Sequence, residues 1–200
     1  MFTGIIQEMG TVAGVDRRRG IVRLTVQAPK TAARVGVMES IAVNGTCLTV
    51  AAVTAGTLTF EMIQETQSRT SLNRLRPGMR VHIEPSLSLA DRLGGHILLG
   101  HVDGVGTIVK HRQLPGELVL EVRVPPEVRR FLVPKGPVAV DGVSLTIGKT
   151  LTRSSFTIHL IPETLRRTTL RDKRPGDRVN VEVDYLAKLV RQFTANGTRH

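Results

Sequence analysis

Short segments of alternating apolar and polar residues recur along this chain, and turn-forming residues separate them. Thr57 to Met62 and Ser155 to Leu160 alternate in this way, which is the pattern of half-buried β-strands. Asn44-Gly45 and Asp141-Gly142 each lie between apolar runs, where such dipeptides are the strongest short-range signal of a β-hairpin turn. Many short strands with evenly spaced turns predict a small barrel or a sandwich.

The same order of segments occurs twice. Matching segments lie 96 to 98 residues apart, so each copy has an ordinary size for a domain. The matches pair Gly4 to Ile6 with Gly100 to Val102, Ile41 to Val50 with Val138 to Ile147, Glu65-Thr66 with Glu163-Thr164, and Val81 to Glu84 with Val179 to Glu182. The chain is therefore expected to be a duplicated protein with two related sites.

From the repeat we expect an all-β fold of two similar six-stranded antiparallel Greek-key barrels, followed by a C-terminal α-helix. The expected divisions are an N-terminal barrel in residues 1–90, a C-terminal barrel in residues 91–184, and a helix with its tail in residues 185–200. The helix is predicted because four apolar residues follow helical spacing after Asp184, which is placed to cap it. These residues are Leu186, Leu189, Val190 and Phe193. Such a stripe suits packing on the helix's own barrel or against a neighbouring subunit.

Composition narrows the classes of function. The net charge of +11 calls for a test of nucleic-acid binding, but the basic residues are scattered and no nucleic-acid motif occurs. We find no secretory signal and no apolar run near the roughly twenty residues that a membrane span needs. The single cysteine, Cys47, excludes an intrachain disulfide and fits a reducing compartment such as the cytoplasm.

The clearest chemical difference between the two copies is Cys47 in the first against Ser144 in the second. Either side chain can donate a hydrogen bond or, when activated, attack an electrophilic carbon, although a lone cysteine is more often a small buried apolar residue. His96 and His101 are five residues apart, which would place them on opposite faces of a strand, so a shared metal is not expected. Lys135 precedes a strand, where a lysine is usually only solvated.

Five sequence blocks together are similar to the riboflavin synthase alpha-chain family. They are MFTGI at the N-terminus, SIAVNGTCLTV at Ser40 to Val50, RLGGHILLGHVDG at Arg92 to Gly104, VAVDGVSLTI at Val138 to Ile147, and HLIPET at His159 to Thr164. The blocks occur in the family's order and cover nearly all of the chain. Each block alone is weak evidence for the family, whereas the five blocks together are specific to it.

The resemblance implies a dismutation of two molecules of 6,7-dimethyl-8-ribityllumazine. One molecule donates a four-carbon unit to the other, which yields riboflavin and 5-amino-6-ribitylaminopyrimidinedione. The implied enzyme is a cytoplasmic transferase that needs neither metal nor cofactor, because the second substrate molecule is the reaction partner. The resemblance further implies a homotrimer, in which the N-terminal barrel of one subunit meets the C-terminal barrel of its neighbour, and it admits an association with lumazine synthase.

The resemblance also assigns site residues. The catalytic positions are Phe2, Cys47, His101, Lys135, Ser144, Thr146 and Asp184. Of these, His101 and Ser144 are expected to move protons, and Cys47 to act as nucleophile or to contact the ring. Lys135 is expected to reach across the subunit interface. The substrate-binding positions are Gly4, Ile5 and Ile6; Cys47, Leu48 and Thr49; Glu61, Met62, Ile63, Gln64, Glu65 and Thr66; Gly100, His101 and Val102; Lys135; Ser144, Leu145 and Thr146; and His159, Leu160, Ile161, Pro162, Glu163 and Thr164.

Four positions depart from the family pattern, namely Gln67, Ser71, Pro85 and Pro137. They bear on fine substrate contacts more than on the reaction. A lumazine- or flavin-binding protein of the same fold without turnover is the main alternative, and it is disfavoured because the polar site residues are retained. A barrel domain of the ferredoxin-reductase kind is a second alternative, and it lacks the nucleotide-binding domain that such a protein needs.

Overall fold

The computed structural model describes residues 1–18 and 20–196. The chain forms two closed six-stranded antiparallel barrels and a C-terminal helix, as the repeat predicts. In each barrel the strands follow the circular order first, second, fifth, fourth, third and sixth, which is a Greek-key arrangement. The division of the chain at residue 90 stays a prediction.

The strands of the first barrel are β1 (Glu8–Arg18), β2 (Ile21–Gln27), β3 (Ser40–Val43), β4 (Thr46–Thr54), β5 (Thr57–Met62) and β6 (Arg80–Pro85). Those of the second are β7 (Gly104–Leu114), β8 (Glu117–Arg123), β9 (Pro137–Val140), β10 (Val143–Leu151), β11 (Ser155–Leu160) and β12 (Arg178–Val183). The helices are α1 (Pro29–Ala32), α2 (Gln64–Arg69), α3 (Pro126–Arg129), α4 (Pro162–Arg167) and α5 (Tyr185–Asn196), and single 3₁₀ turns occupy Ser71–Arg74 and Thr169–Asp172.

Each barrel is closed around its own apolar core. Alternate residues of a strand point inward, so that Leu58, Phe60 and Met62 of β5 are buried while Thr59 and Glu61 face outward. The second barrel repeats this arrangement with its own cluster of buried residues. The outer faces of the strands are therefore free to carry polar groups.

The two barrels meet where the predicted hairpin turns stack against each other. Asn44 and Gly45 have φ angles of 44° and 74°, and Asp141 and Gly142 have 47° and 78°, which are the positive values that a type I′ turn requires. A Cβ atom on Gly45 would lie 2.5 Å from the backbone nitrogen of Gly142. Glycine is required there because the backbones of the two turns are in contact.

His82 of β6 and Asn180 of β12 occupy matching positions in the two repeats, and each contacts the hairpin turn of the other barrel. Nδ1 of buried His82 lies 2.7 Å from the Asp141 carbonyl oxygen, and its Nε2 accepts from the Thr169 N–H at 2.8 Å. In the matching position, Nδ2 of Asn180 donates to the Asn44 carbonyl at 2.8 Å, and its Oδ1 accepts from the Ser71 N–H at 2.7 Å. A neutral imidazole with its proton on Nδ1 satisfies every partner.

Acidification is expected to weaken the junction between the barrels through His82. Burial lowers the pKa of His82, partly opposed by the charge and carbonyl of Asp141, whereas the unfolded chain takes up a proton near the ordinary value of about 6.5. Since the unfolded state then binds more protons, stability falls as pH drops below about 6.5, by up to ~1.4 kcal/mol per pH unit. Urea unfolding at pH 7.5 and 5.5 measures the effect.

His82→Asn is the matched variant for this prediction, because asparagine already does the same work at position 180. The variant should lose about 1 kcal/mol less stability than the unmodified protein between the two pH values. Glu84 and Glu182 are present in both proteins, so their contribution to the pH dependence of stability cancels in the comparison. Equal acid sensitivity of the two proteins would contradict the assignment.

Helix α5 begins at Tyr185, directly after Asp184, as the sequence predicts, and the predicted tail after Asn196 lies outside the described residues. The Oδ1 atom of Asp184 accepts from the Leu186 N–H at 3.1 Å, which is an N-cap. Lys188 forms an ion pair with Asp103 at 2.7 Å, which fixes the start of the helix to the second barrel. The side chains of Val190 and Phe193 are exposed, so the described part of this chain does not cover the apolar stripe. None of the described helices is long and apolar enough to cross a membrane.

One local prediction was wrong. His96 and His101 do not lie on a regular strand; the connection between the barrels is extended, and an isolated bridge joins Leu98 to Phe2. The backbone reverses at Gly100, whose φ angle is 73°, so strand alternation does not decide where the two histidines point. Among the described residues, no group of three or more His, Cys, Asp or Glu side chains is arranged to hold a metal ion.

Candidate functional site

The outer face of one strand in each barrel carries the two residues that distinguish the copies. Cys47 is the second residue of β4 and Ser144 is the second residue of β10, and each lies opposite an alanine of the preceding strand. Leu48 and Leu145 pack into the two cores, which turns Cys47 and Ser144 outward because neighbouring side chains of a strand alternate. The repeat therefore places a thiol and a hydroxyl at equivalent positions.

Each of these residues is contacted by a segment that leads into the opposite barrel. We call residues 1–6 and 97–102 the crossing segments. The carbonyl of Gly4 accepts from the Ser144 N–H, and the carbonyl of Gly100 accepts from the Cys47 N–H, both at 2.9 Å. A Cβ on Gly4 would lie 2.6 Å from that of Ser144, and a Cβ on Gly100 would lie 2.6 Å from that of Cys47. Only glycine permits these approaches.

A buried carboxylate holds each crossing segment. Glu84 of β6 accepts from the N–H groups of Thr3 and Gly4 at 2.7 and 3.0 Å. Glu182 of β12 accepts from those of Leu99 and Gly100 at 2.8 and 3.1 Å. Burial raises the pKa of both carboxyls, although the N–H donors oppose this shift. Sequence reasoning missed both roles, although the match of Val81 to Glu84 with Val179 to Glu182 contained the signal.

We call the outer face of β4 and β5, together with residues 100–102, the N-terminal pocket. Val50 lies opposite Phe60, so exposed Thr49 and Glu61 occupy adjacent positions on this face. Glu61 forms an ion pair with Arg23 at 2.9 Å. Exposed His101 directly follows Gly100, so the histidine of the second copy lies at the edge of the pocket that contains the cysteine of the first.

The C-terminal pocket is the outer face of β10 and β11 together with residues 4–6. Lys135, Thr146 and His159 line a depression of about 480 Å³ on this face. Lys135 has a φ angle of 65°, uncommon for a residue with a side chain, and its N–H donates to the Ile147 carbonyl at 3.0 Å. The structure thus places Lys135 in the pocket of its own chain, and its reach across an interface stays a prediction.

Several predicted substrate-binding positions offer only their backbones. Their side chains pack inside the barrels, as they do for Ile6, Leu48, Met62, Leu145 and Leu160. Half-buried Val102 is intermediate. Because these side chains point inward, they are not available to a ligand on the outer surface of the barrels.

The segments after β5 and β11 are exposed turns that enter α2 and α4. The predicted positions Ile63 and Ile161 lie in these turns, and the others lie in the first turns of the two helices, namely Gln64, Glu65, Thr66, Pro162, Glu163 and Thr164. Ile63 and Ile161 are exposed apolar residues in extended conformation, which leaves them available to a flat ligand or to another chain. Hydrogen bonds from Arg167 and Arg166 lower the pKa of Glu163, so this carboxylate is already engaged.

Ser144 has a partner that sequence reasoning did not assign. Nδ1 of His96 lies 2.7 Å from the Ser144 hydroxyl oxygen, and the other ring nitrogen of His96 is buried without a partner among the described residues. Burial lowers the pKa of His96, while the charge of Asp184 acts in the opposite direction. His96 lies in an irregular connection, where periodicity gives no direction for a side chain.

Two predicted catalytic residues occupy supporting positions in this chain. Phe2 is 1% exposed and packs with Ala42, Leu98 and Ala139 between the barrels, and Cys47 packs against this cluster. Asp184 caps α5 and is close enough to His96 to influence its pKa.

The four departures have local structural explanations. Gln67 donates to the carbonyls of Gly20 and Met62 at 3.1 and 3.0 Å, and the Ser71 N–H donates to Asn180 at 2.7 Å. Pro85 ends β6 and Pro137 begins β9, where a missing N–H is tolerated. Pro137 lies opposite exposed Thr146 of β10, so this departure adjoins the C-terminal pocket.

Comparison with known proteins agrees with this duplicated architecture. The model of the lumazine binding domain matches residues 3–86 and 99–184. The riboflavin synthase of Mycobacterium tuberculosis (strain ATCC 25618 / H37Rv) is 44% identical over 196 residues, covering 96% of this chain and 98% of that protein. The riboflavin synthase of Bacillus subtilis (strain 168) is 39% identical over 193 residues, covering 96% and 89%.

Solved structures share the fold at greater distance. LumP complexed with riboflavin has a TM-score of 0.85 at 23% identity and covers 92% of this chain and 99% of that one. LumP complexed with 6,7-dimethyl-8-(1'-D-ribityl) lumazine has a TM-score of 0.83, with the same identity and coverage. The repeat, the two matched domains and the full-length relatives lead to one conclusion: this chain belongs to the riboflavin synthase family and consists of two lumazine-binding domains.

Proposed function

We propose that this chain is a riboflavin synthase, a transferase that converts two molecules of 6,7-dimethyl-8-ribityllumazine into riboflavin and 5-amino-6-ribitylaminopyrimidinedione. The observation that carries the proposal is that the two repeats place unlike reactive groups at equivalent positions, Cys47 on β4 and Ser144 on β10. A dismutation needs two copies of one molecule in different roles. Duplication supplies the two pockets, and the differences between them supply the roles.

Most of the acceleration is expected to come from positioning. Two flat heterocycles held face to face react in an effectively unimolecular step, which is worth up to roughly 7–11 kcal/mol. The strand backbones beside Cys47 and Ser144 suit the pyrimidinedione edge of each ligand. Exposed Thr49, Thr146 and Glu61 suit the ribityl hydroxyls.

A protein that binds lumazine or flavin without turnover is the alternative. The relatives named riboflavin synthase are 36–44% identical to this chain, whereas the LumP structures are 23% identical. This difference supports the enzyme. Purified protein incubated with the lumazine should consume two substrate molecules for each riboflavin formed, measured by riboflavin fluorescence and chromatography. Stoichiometric binding without consumption would establish the alternative instead.

We further place the reaction in a homotrimer, between the N-terminal pocket of one subunit and the C-terminal pocket of its neighbour. The exposed stripe of α5 supports this assembly, since Phe193 is 71% exposed and Val190 is 63% exposed in the single chain. The lone thiol Cys47 supports a cytoplasmic location. We propose lumazine synthase as a further partner, because an enzyme that makes the lumazine would supply the substrate of this reaction.

Phe193→Ser is expected to dissociate the trimer, because it replaces the most exposed apolar side chain of the stripe with a polar one. Sedimentation should show the mass fall from three chains toward one, and turnover should fall with it while lumazine binding persists. Gln192→Ser changes an exposed polar neighbour on the same helix and should leave mass and turnover unchanged. A trimer that survives the first substitution would remove α5 from the interface.

Cys47→Ser is expected to lower kcat roughly tenfold or more while leaving lumazine binding largely intact, because a hydroxyl is a weaker nucleophile than a thiol of the same size. Single-turnover rates and a binding titration separate the two effects. If Cys47 only fills space, the substitution should instead cost stability more than rate. An unchanged rate would exclude Cys47 from the chemistry.

A further inference from the structure

The contact between His96 and Ser144 is fixed by the backbone around it. The two side chains approach to 2.7 Å between Nδ1 and Oγ. The preceding residue, Gly95, could carry no side chain, because a Cβ would lie 2.1 Å from the Thr3 carbonyl oxygen and 2.8 Å from Ser144 Oγ. The crossing segment 1–6 and the connection at His96 thus enclose the serine from both sides.

The second ring nitrogen of His96 lies on the side of the imidazole that faces away from Ser144. Nε2 of His96 is buried and has no hydrogen-bond partner among the described residues. Nδ1 can accept from the Ser144 hydroxyl only in the neutral ring that carries its proton on Nε2, and burial favours a neutral ring because it lowers the pKa of His96. Asp184 is the ionisable group whose charge acts on this ring. A neutral histidine hydrogen-bonded to a hydroxyl is the arrangement that activates a serine.

We infer that His96 is the positioning residue of Ser144, which holds the serine hydroxyl and accepts its proton during the reaction in the C-terminal pocket. This inference rests on the proposed function and adds a residue to it. As Ser144 Oγ forms a bond to an electrophilic carbon of the lumazine ring, the Oγ–H bond breaks and its proton passes to Nδ1 of His96. The π pair of that carbon moves into the pyrimidinedione. The reverse transfer returns the proton to oxygen when the bond breaks.

The matched variants are His96→Asn and Ser144→Ala, alone and combined. Asparagine can still hydrogen-bond to the serine but cannot accept a proton at neutral pH. We expect kcat for riboflavin formation to fall by about 100-fold or more in His96→Asn, with KM changed only a few fold. The double variant should be no slower than the slower single variant, because the two residues act as one unit. His111→Asn, a histidine outside both pockets that contacts Arg174, is the control and should retain full activity.

The dependence of kcat on pH distinguishes proton transfer from a purely structural role. The unmodified enzyme should lose activity in acid as His96 becomes protonated, and this loss should disappear in Ser144→Ala, a variant that keeps the histidine and its fold. Lys135, Lys149 and His159 are the ionisable side chains that line the depression on this face, and they are unchanged in every variant. The inference is overturned if His96→Asn keeps kcat within threefold, if the single effects multiply in the double variant, or if Ser144→Ala retains the acid limb. Failure of the unmodified chain to form riboflavin would instead refute the proposed function itself.

Discussion

Gly100→Ala should destabilise the protein by about 3 kcal/mol or more and abolish lumazine binding in the N-terminal pocket. The φ angle of Gly100 is 73°, where a side chain costs roughly 1–2 kcal/mol. The added Cβ would also lie 2.6 Å from the Cβ of Cys47 and 2.7 Å from its backbone nitrogen. Relief of that overlap requires the crossing segment to leave β4, which costs a further 1–3 kcal/mol, roughly the usual penalty of overpacking.

Gly116→Ala separates the two contributions. Its φ angle is 78°, and no atom lies within 4 Å of where its Cβ would stand. This control should cost only about 1–2 kcal/mol and leave both pockets intact. Urea unfolding gives the two stabilities, and lumazine titration gives the occupancy of the pockets. Equal losses of stability in the two variants would show that the close approach of Gly100 to Cys47 adds nothing to the destabilisation.

Phe2→Ala should be nearly as damaging, although Phe2 is the second residue of the chain. The ring is 1% exposed between the barrels, and its backbone pairs with Leu98 through hydrogen bonds of 2.8 and 3.1 Å. Loss of a buried phenylalanine side chain costs about 3–5 kcal/mol. Because Phe2 lies two residues before Gly4, loosening it should also release Gly4 from Ser144 and reduce turnover.

Phe2→Leu is the corresponding control, since leucine fills most of the same space and should cost less than about 1.5 kcal/mol. Its turnover should remain close to that of the unmodified protein. The comparison uses urea unfolding and riboflavin formation on the same samples. A loss of turnover in Phe2→Leu with normal stability would indicate direct contact between the ring and substrate, which the single chain does not show.

The fold was predictable because the sequence contains two copies of the same order of segments, and residues that form well-defined turns separate these segments. Asn44-Gly45 and Asp141-Gly142 adopt the positive φ angles that such dipeptides favour. Strand alternation then decided which side of β5 and β11 is buried. The helix was also predictable from periodicity, since Leu186, Val190 and Phe193 follow helical spacing.

The site was only partly predictable, because its contacts join residues that no local pattern relates. Nothing in the order of residues indicates that Gly4 contacts Ser144, or that Gly100 contacts Cys47, each in the opposite copy. His96 was considered only as a metal ligand on a strand, and its real partner depends on the path of an irregular connection. The equivalence of His82 and Asn180 was equally hidden, since imidazole and amide look unrelated until their hydrogen bonds are compared.

The crossing segments also constrain how this protein can evolve or be engineered. A connection between two repeats is usually the part of a gene that tolerates insertions, length changes and cuts. Here the connection contacts Cys47 of the first repeat through Gly100 and Ser144 of the second through His96. Residues added between 96 and 102 would shift both contacts at once, so we expect this connection to tolerate insertions poorly. If one repeat were grafted into another protein, the crossing segment that contacts it would have to be included.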